Sequence, residues 1–263
     1  MPLGAVRRAA GKNHSASRSN DLSEAEWRAR TDLAACYRLV AHFGMTDTIF
    51  THISARVPDQ EDAFLVNAFG LMYEEITASN LVKVNLAGDI LSDTTGLGIN
   101  PAGFVIHGAI HGARHDVQCV LHTHTPAGIA VSAQKHGLLP ISLQSAALQG
   151  RIGYHDFEGI AVHMEEQERL VANLGRHYVM ILNNHGLLTA GRTTGEALRL
   201  MLTLERACQA QVLALGGAAE VRHVTPESIA STHETLDGGV VGAERDWSSM
   251  LRLAARIAPD YLD

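Results

Sequence analysis

Two apolar runs of this chain end in histidine, and this pattern restricts the fold more than any other feature of the sequence. The first run, VQCVL, leads into His122-Thr123-His124, and the second, VMIL, leads through two asparagines into His185-Gly186. Short apolar runs of this kind are typical of strands buried on both faces of a sheet. Side chains two positions apart on a strand face the same way, so His122 and His124 can converge at the end of their strand.

A third histidine ends the second run and completes a set of metal ligands. Gly186 lets the chain turn tightly after His185, and open α/β sheets place their ligands at the carboxyl ends of strands. Neutral imidazoles bind borderline divalent metals, and three protein ligands leave the open position of a catalytic site. The spacing therefore predicts one divalent ion (Zn, Mn or Fe) on His122, His124 and His185. The alternative is a polar strand end, with His185 only capping its own strand.

The remaining pattern predicts one α/β domain with a mixed sheet and helices on its faces. Residues 1–22 are expected to form a disordered tail, and residues 23–263 a single domain, because no linker divides them. Ser23 and Glu26 form a capping box before the first helix. Further helices are expected from Pro101, over 196–215 and over 247–258; strands over 48–57, 64–67, 81–86, 117–122, 178–183 and 186–189; and a loop over 218–245.

Composition excludes several classes of partner. The net charge of −7 repels nucleic acid and anionic membranes. No apolar run approaches the roughly 18–20 residues of a membrane span. The cysteines, Cys36, Cys119 and Cys208, are odd in number and far apart, as expected of buried thiols in a reducing compartment. We therefore expect a cytoplasmic protein with a small-molecule substrate, although the basic residues of the first 20 leave a transit peptide as the alternative.

Other polar side chains are candidates for the chemistry. Glu74 and Glu75 can supply an acid or base, or simply precede a helix whose dipole favours them. His155 is expected in a loop, where it reaches a pocket or serves only the turn. His52 and Ser54 share a strand face and bind an anionic substrate group, or belong to a surface strand. His107 and His111 share a helix face, and we expect them under the site.

Longer stretches resemble the class II aldolase/adducin family, closest to its adducin head-domain branch. The resemblance runs from about Leu33 to Trp247. It rests on FLVNAFGLMYEEIT at 64–77, NPAGF at 100–104, HTHTPAG at 122–128, GLLPIS at 137–142 and NHG at 184–186.

The resemblance implies a three-layer αβα domain with a central mixed, largely antiparallel sheet. It also implies a cyclic homotetramer with active sites at subunit boundaries, and a metal on the three histidines, which match His122, His124 and His185. In the family's sugar-phosphate aldolases the ion polarises a carbonyl and stabilises the enediolate left by carbon–carbon cleavage.

The sequence departs from the aldolase pattern around that metal. Pro101, Ala102 and Gly103 stand where aldolases carry two serines and a catalytic acid. The phosphate loop matches THIS at 51–54, the Ser/Thr-Gly pair matches Phe69-Gly70, and a tyrosine from the neighbouring subunit matches Gln144. A sugar phosphate is therefore not the expected substrate. The substrate contacts are instead assigned to His52, Ser54, Gly70, Gln144 and Tyr154, and catalysis to Glu74, Glu75 and His155.

Three functions follow from this comparison. The first is a metal-dependent lyase, aldolase-like or decarboxylating, that acts on a non-phosphorylated oxo or hydroxy acid through a metal-stabilised enolate. Glu74, Glu75, His52 or His155 would supply the acid or base. The second is a mononuclear non-haem iron oxygenase that decarboxylates an aromatic oxo acid. The third is a non-catalytic interaction protein like the adducin head.

Overall fold

An eight-stranded sheet forms the centre of the protein in the computed structural model, which describes residues 22–160, 164–217, 220–238 and 243–263. The strands are β1 (His52–Arg56), β2 (Ala63–Val66), β3 (Val82–Asn85), β4 (Ile90–Ser92), β5 (Cys119–Thr123), β6 (Ile152–His155), β7 (Val179–Leu182) and β8 (Gly186–Gly191). Their order is β4-β3-β2-β1-β5-β8-β7-β6. Among these strands only β6 and β7 pair in parallel, so the predicted mixed, largely antiparallel sheet is confirmed.

Helices cover both faces of the sheet. They are α1 (Glu24–His42), α2 (Pro101–Ala113), α3 (Pro126–Ser132), α4 (Leu143–Leu148), α5 (Glu166–Leu174), α6 (Thr194–Leu215), α7 (Pro226–Asp237) and α8 (Ala243–Ile257), with short 3-10 helices at Tyr73–Glu75 and Pro259–Leu262. One core packs α1, α6 and α8 on the sheet. A second core packs α2 and α5 on the opposite face, which gives the predicted three layers.

The alternation of side chains along β5 decides on which face the histidines lie. Leu121 belongs to the core under α1 and α6, whereas Val120 belongs to the core under α2 and α5. His122 follows Val120 by two residues, so it lies on the α2 side. On the neighbouring strand β1, Ile53 faces α1, and His52 and Ser54 therefore face α2 as well.

Two sequence predictions of local structure are wrong. Residues 218–245 were expected to be a loop, but they contain α7, with Thr225 as its N-cap and Pro226 in its first turn. This helix buries none of its residues and contains only two large apolar side chains, Ile229 and Leu236, which are too few to indicate a helix clearly in the sequence. His155 was expected in a loop but lies in β6, whose pairing with β7 is a long-range contact. Nor did the sequence predict β4, α4 or α5.

The predicted capping box of α1 forms only in part. The Ser23 hydroxyl accepts a hydrogen bond from the Glu26 amide at 3.0 Å. The Glu26 carboxylate, however, binds Arg30 and Lys83 at 3.1 and 2.9 Å. The pair with Arg30 lies within α1, and the pair with Lys83 connects α1 to β3.

The structure bears on two expectations from composition, which concern membrane-spanning segments and the cysteines. Within the described residues, no helix combines the length and apolar character needed to cross a bilayer. Cys36, Cys119 and Cys208 are all buried and unpaired, as predicted. The predicted disordered tail, apart from Leu22, lies outside the described residues.

Candidate metal centre

Three histidines converge where β5 ends beside the turn that joins β7 to β8. The Nε2 atom of His124 lies 2.8 Å from Nε2 of His122 and 3.0 Å from Nε2 of His185. One ligand atom from each residue fits within 4.8 Å of the others. The antiparallel pairing of β5 with β8 brings this turn to His122. The structure therefore brings together the set that the spacing predicted.

The second nitrogen of each β5 histidine determines which atom faces the centre. His122 Nδ1 donates to the Leu187 carbonyl at 2.9 Å, and His124 Nδ1 donates to the Asp47 carboxylate at 3.0 Å. With hydrogens on Nδ1, both neutral rings carry a lone pair on Nε2. The short contact between these Nε2 atoms then joins two acceptors, which repel each other unless a cation lies between them. The donor set fits a borderline divalent metal.

Burial keeps His122 and His185 in the neutral form that a metal requires. Loss of hydration lowers the pKa of His122 well below its usual range, and the charges of His185 and His124 lower it further. Burial likewise lowers the pKa of His185 to about 4, with His124 and His155 adding to the effect. At neutral pH both rings are therefore uncharged, and each carries one nitrogen lone pair that a cation can bind.

Gly103 lies on α2 directly against the ring of His52. A Cβ atom at position 103 would come 2.7 Å from His52 Cδ2 and 3.0 Å from its Nε2. His52 is buried and pairs across the sheet with His122, with ring centroids 5.2 Å apart. The imidazole of His52 therefore fills the space that any side chain at position 103 would need.

A chain of hydrogen bonds continues from His52 into the layer between β1 and α2. His52 Nδ1 bonds to His107 Nε2 at 2.8 Å, and Ser54 Oγ bonds to His107 Nδ1 at 2.6 Å and His111 Nε2 at 2.8 Å. The Ser54 hydroxyl can donate toward either histidine. If the donors and acceptors in this series of hydrogen bonds exchange roles, His52 Nε2 changes between carrying a proton and presenting a lone pair. No charge is placed in the core by this exchange.

The buried, hydrogen-bonded histidines of this layer predict that the protein loses stability in mild acid. Burial lowers the pKa of His111 to about 3 and that of His107 well below its usual range. The unfolded chain takes up protons on these histidines below about pH 6.5, whereas the folded protein does not, so the free energy of unfolding falls as pH drops from 6.5 toward 3. His111 alone should contribute a loss of about 2–3 kcal/mol at pH 4.5 relative to pH 7.

Urea unfolding of chelator-treated protein at several pH values measures this loss. The His111→Asn variant should show a shallower fall in stability between pH 6.5 and 4.5. The exposed His115 provides a matched control, since His115→Ala should leave the slope unchanged. A slope that is equal in wild type and His111→Asn would contradict the prediction.

His155 and Tyr154 are neighbours in β6 but face opposite sides of the sheet. His155 is buried, with Nδ1 against Asn173 at 2.8 Å and Nε2 against Glu166 at 3.3 Å. It lines a small cavity beside His185. Tyr154 instead accepts a hydrogen bond from the Leu138 amide at 3.1 Å, so it supports the turn between α3 and α4 that contains Leu138. Substrate or catalytic roles for the two remain predictions.

The other predicted residues lie in separate places. Glu74 and Glu75 are exposed, and the Glu75 carboxylate accepts from the Met72 amide of its own turn. Gly70 has a φ of +116°, a conformation that side chains disfavour, so backbone geometry alone accounts for the glycine. Gln144 lines a cavity to which none of the three histidines contributes. Of the predicted residues, the structure thus groups His52 and Ser54 with the histidine cluster, and His155 lines a cavity together with His185.

Sequence reasoning missed Asp47. Its carboxylate orients His124 from the loop between α1 and β1, and in metal sites a carboxylate that accepts from the far nitrogen of a histidine raises the basicity of that ligand. No local pattern marks this aspartate, because it is 77 residues from its partner in the chain.

A three-layer αβα fold with three histidines that converge at the end of its central strands characterises this domain, and sequence comparison identifies its family. The profile of the Class II Aldolase and Adducin N-terminal domain matches residues 31–212. The chain belongs to this family.

The similar proteins include both aldolases and an adducin. A crystal structure of an aldolase II superfamily protein from Pseudomonas syringae is 54% identical, covers 92% of this chain and 98% of that one, and superposes with a TM-score of 0.87. L-fuculose 1-phosphate aldolase from Glaciozyma antarctica PI12 is 29% identical, with 89% and 92% covered and a TM-score of 0.78. Rat alpha-adducin is 49% identical over 191 residues, which are 72% of this chain and 26% of adducin.

Proposed function

We propose that this protein is a metal-dependent lyase that cleaves a carbon–carbon bond in a small, non-phosphorylated oxo or hydroxy acid. The observation that carries the proposal is the 2.8 Å distance between Nε2 of His122 and Nε2 of His124. Each of these atoms presents a lone pair, because the Nδ1 atom of each ring donates a hydrogen bond, to the Leu187 carbonyl and to the Asp47 carboxylate. When bound, a divalent ion polarises a carbonyl and stabilises negative charge that develops on its oxygen.

An open coordination position supports catalysis over a purely structural metal. Among the described residues, no further His, Cys, Asp or Glu joins the three ligands. Structural zinc sites are usually closed by four protein ligands, whereas catalytic sites keep one position for substrate or water. The carboxylate and carbonyl oxygens of an oxo acid are suited to that position.

His52 is the best candidate for moving a proton. Members of the family that act as aldolases carry an acid where this chain has Gly103, and the His52 ring fills that space. Its Nδ1 is bonded to His107, while no described hydrogen bond occupies Nε2. Glu74 and Glu75 are exposed on their own turn, and both nitrogens of His155 have partners. We therefore assign proton transfer to His52 Nε2, with Ser54 and His107 setting its tautomer.

The surroundings of His185 support a substrate without phosphate. The cavity beside it is lined by three carboxylates, those of Asp156, Glu158 and Glu166. Only Glu158 has an arginine partner, Arg169, among the described ion pairs. Such a wall repels a phosphate dianion more strongly than a monocarboxylate.

The family's tetramer is part of the proposal. Gln144 lies at a cavity remote from the histidines of its own chain, next to Leu143, which is 70% exposed. Both observations agree with a role for α4 at a subunit boundary, where Gln144 would serve a neighbouring site. Light scattering in solution measures the assembly.

The alternatives make different predictions for one experiment on protein purified without added metal. We expect about one zinc or manganese ion per chain, and oxygen-independent turnover of a member of a panel of 2-oxo and 2-hydroxy acids. Iron with oxygen consumption on arylpyruvates would instead establish the oxygenase. The likeness to alpha-adducin favours an interaction module, and absence of both metal and turnover would support that function and end the proposal.

A variant of His52 tests the assignment of the proton carrier separately from the metal. The His52→Gln substitution should retain the metal but lower kcat by roughly 100-fold or more, the usual contribution of general acid–base catalysis. The His115→Ala control should keep full turnover. Unchanged kcat in His52→Gln would remove His52 from the mechanism without affecting the metal assignment.

A further inference from the structure

A second cavity, of about 590 Å³, lies between α4, α6, α7 and α8. None of the three clustered histidines lines it, so it is separate from the candidate metal centre of its own chain. Ligand sites for small molecules typically measure about 300–1,000 Å³. The volume is therefore that of a binding site and far exceeds a packing defect.

Two arginines enter this cavity from one face of α6. Arg199 and Arg206 are two helical turns apart, which places their Cα atoms about 10 Å from each other. Within the described part of the chain, no side chain accepts a hydrogen bond from either guanidinium, and Arg199 Nε is buried without a partner. An unpaired buried donor is unfavourable, so the half-buried Arg199 offers a donor at this cavity that lacks its acceptor, and the exposed Arg206 lies beside it on the same face of α6.

The charge of the lining selects the ligand. Among the described residues of the lining, the charged members are Arg199, Arg206 and Asp246, a net charge of +1. One negative charge on a ligand neutralises the cavity, whereas a dianion would leave a net negative charge next to Asp246. Arginine binds carboxylates through paired, charge-assisted hydrogen bonds.

Apolar side chains line the cavity beside the arginines, and the surrounding structure holds Trp247 among them in place. Trp247 packs on Gly195 so closely that a Cβ atom there would lie 2.7 Å from Trp247 Cγ. The indole also lies close to the Asp32 side chain on α1. The ring is therefore anchored at both ends, and it faces the cavity together with Leu198, Leu202 and Met250.

We propose that this cavity binds a small organic acid with one carboxylate and an apolar body, such as a medium-chain fatty acid. The carboxylate lies on Arg199 and Arg206, and the body lies against Trp247. This site does not depend on the proposed lyase activity or on the metal.

Fluorescence of Trp247 tests the proposal directly. The chain contains two tryptophans, so Trp27→Phe leaves Trp247 as the only one. Titration with octanoate should give a saturable change in emission, and octanamide should bind at least about 10-fold more weakly because it lacks the charge. Arg199→Gln and Arg206→Gln should each weaken octanoate binding roughly 10–100-fold, the range of a lost charge-assisted hydrogen bond.

Matched controls separate this site from others. Arg256→Gln removes the same charge from an exposed position of α8 outside the cavity and should leave binding unchanged. Chelator-treated protein should bind octanoate equally well, because the metal takes no part. The proposal is overturned if octanoate gives no saturable signal, if octanamide binds as tightly, or if both cavity arginine variants, with wild-type circular dichroism, keep wild-type affinity.

Discussion

The His122→Ala variant should lose its metal. Wild-type protein dialysed without chelator should keep about one divalent ion per chain, and the variant close to none, because two histidines cannot hold the ion against water. The expected weakening exceeds the roughly 10–100-fold caused by changes to residues that merely orient a ligand. Elemental analysis and competition with a chromophoric chelator measure both quantities.

Two further variants make this result specific. Asp47→Asn leaves the ligands in place but removes the carboxylate that orients His124, so its affinity should fall between wild type and His122→Ala. His115→Ala removes an exposed histidine and should bind metal normally. If His122→Ala retained a full equivalent of metal, the three-histidine centre would have to be abandoned.

The second large effect is expected at Gly103. In an ordinary helix, replacing glycine by alanine stabilises the protein by about 1 kcal/mol. Here the new Cβ would lie 2.7 Å from the buried His52 ring, and α2 and β1 would have to separate. Gly103→Ala should therefore destabilise the protein by about 1–3 kcal/mol, the usual result of overpacking a core.

A double-mutant cycle shows whether His52 is the cause. In the His52→Ala background the ring is absent, so the same Gly103→Ala change should become neutral or stabilising. The sign of the effect thus reverses between the two backgrounds. Urea unfolding of the four proteins measures it. A penalty of equal size in both backgrounds would mean that the glycine is required by another contact.

Much of the fold follows from local patterns. Apolar strands, the Asn100-Pro101 start of α2 and the long α6 all have strong periodic or capping signals, and the structure contains each of them. α7 has no buried face to create such a signal. β6 becomes a strand only by pairing with β7, which follows it in the chain after α5. These elements depend on contacts between distant segments.

The features of the candidate site also divide into those set by local sequence and those set by contacts between distant segments. The sequence by itself determined that His122, His124 and His185 stand at strand ends, because a period of two and a glycine turn are local properties. Only the tertiary structure decided which of their nitrogens face inward, because the partners that hold the opposite nitrogen, the Leu187 carbonyl and Asp47, come from other segments. It also placed the His52 ring in the space beside Gly103, since α2 and β1 meet only when the sheet is covered.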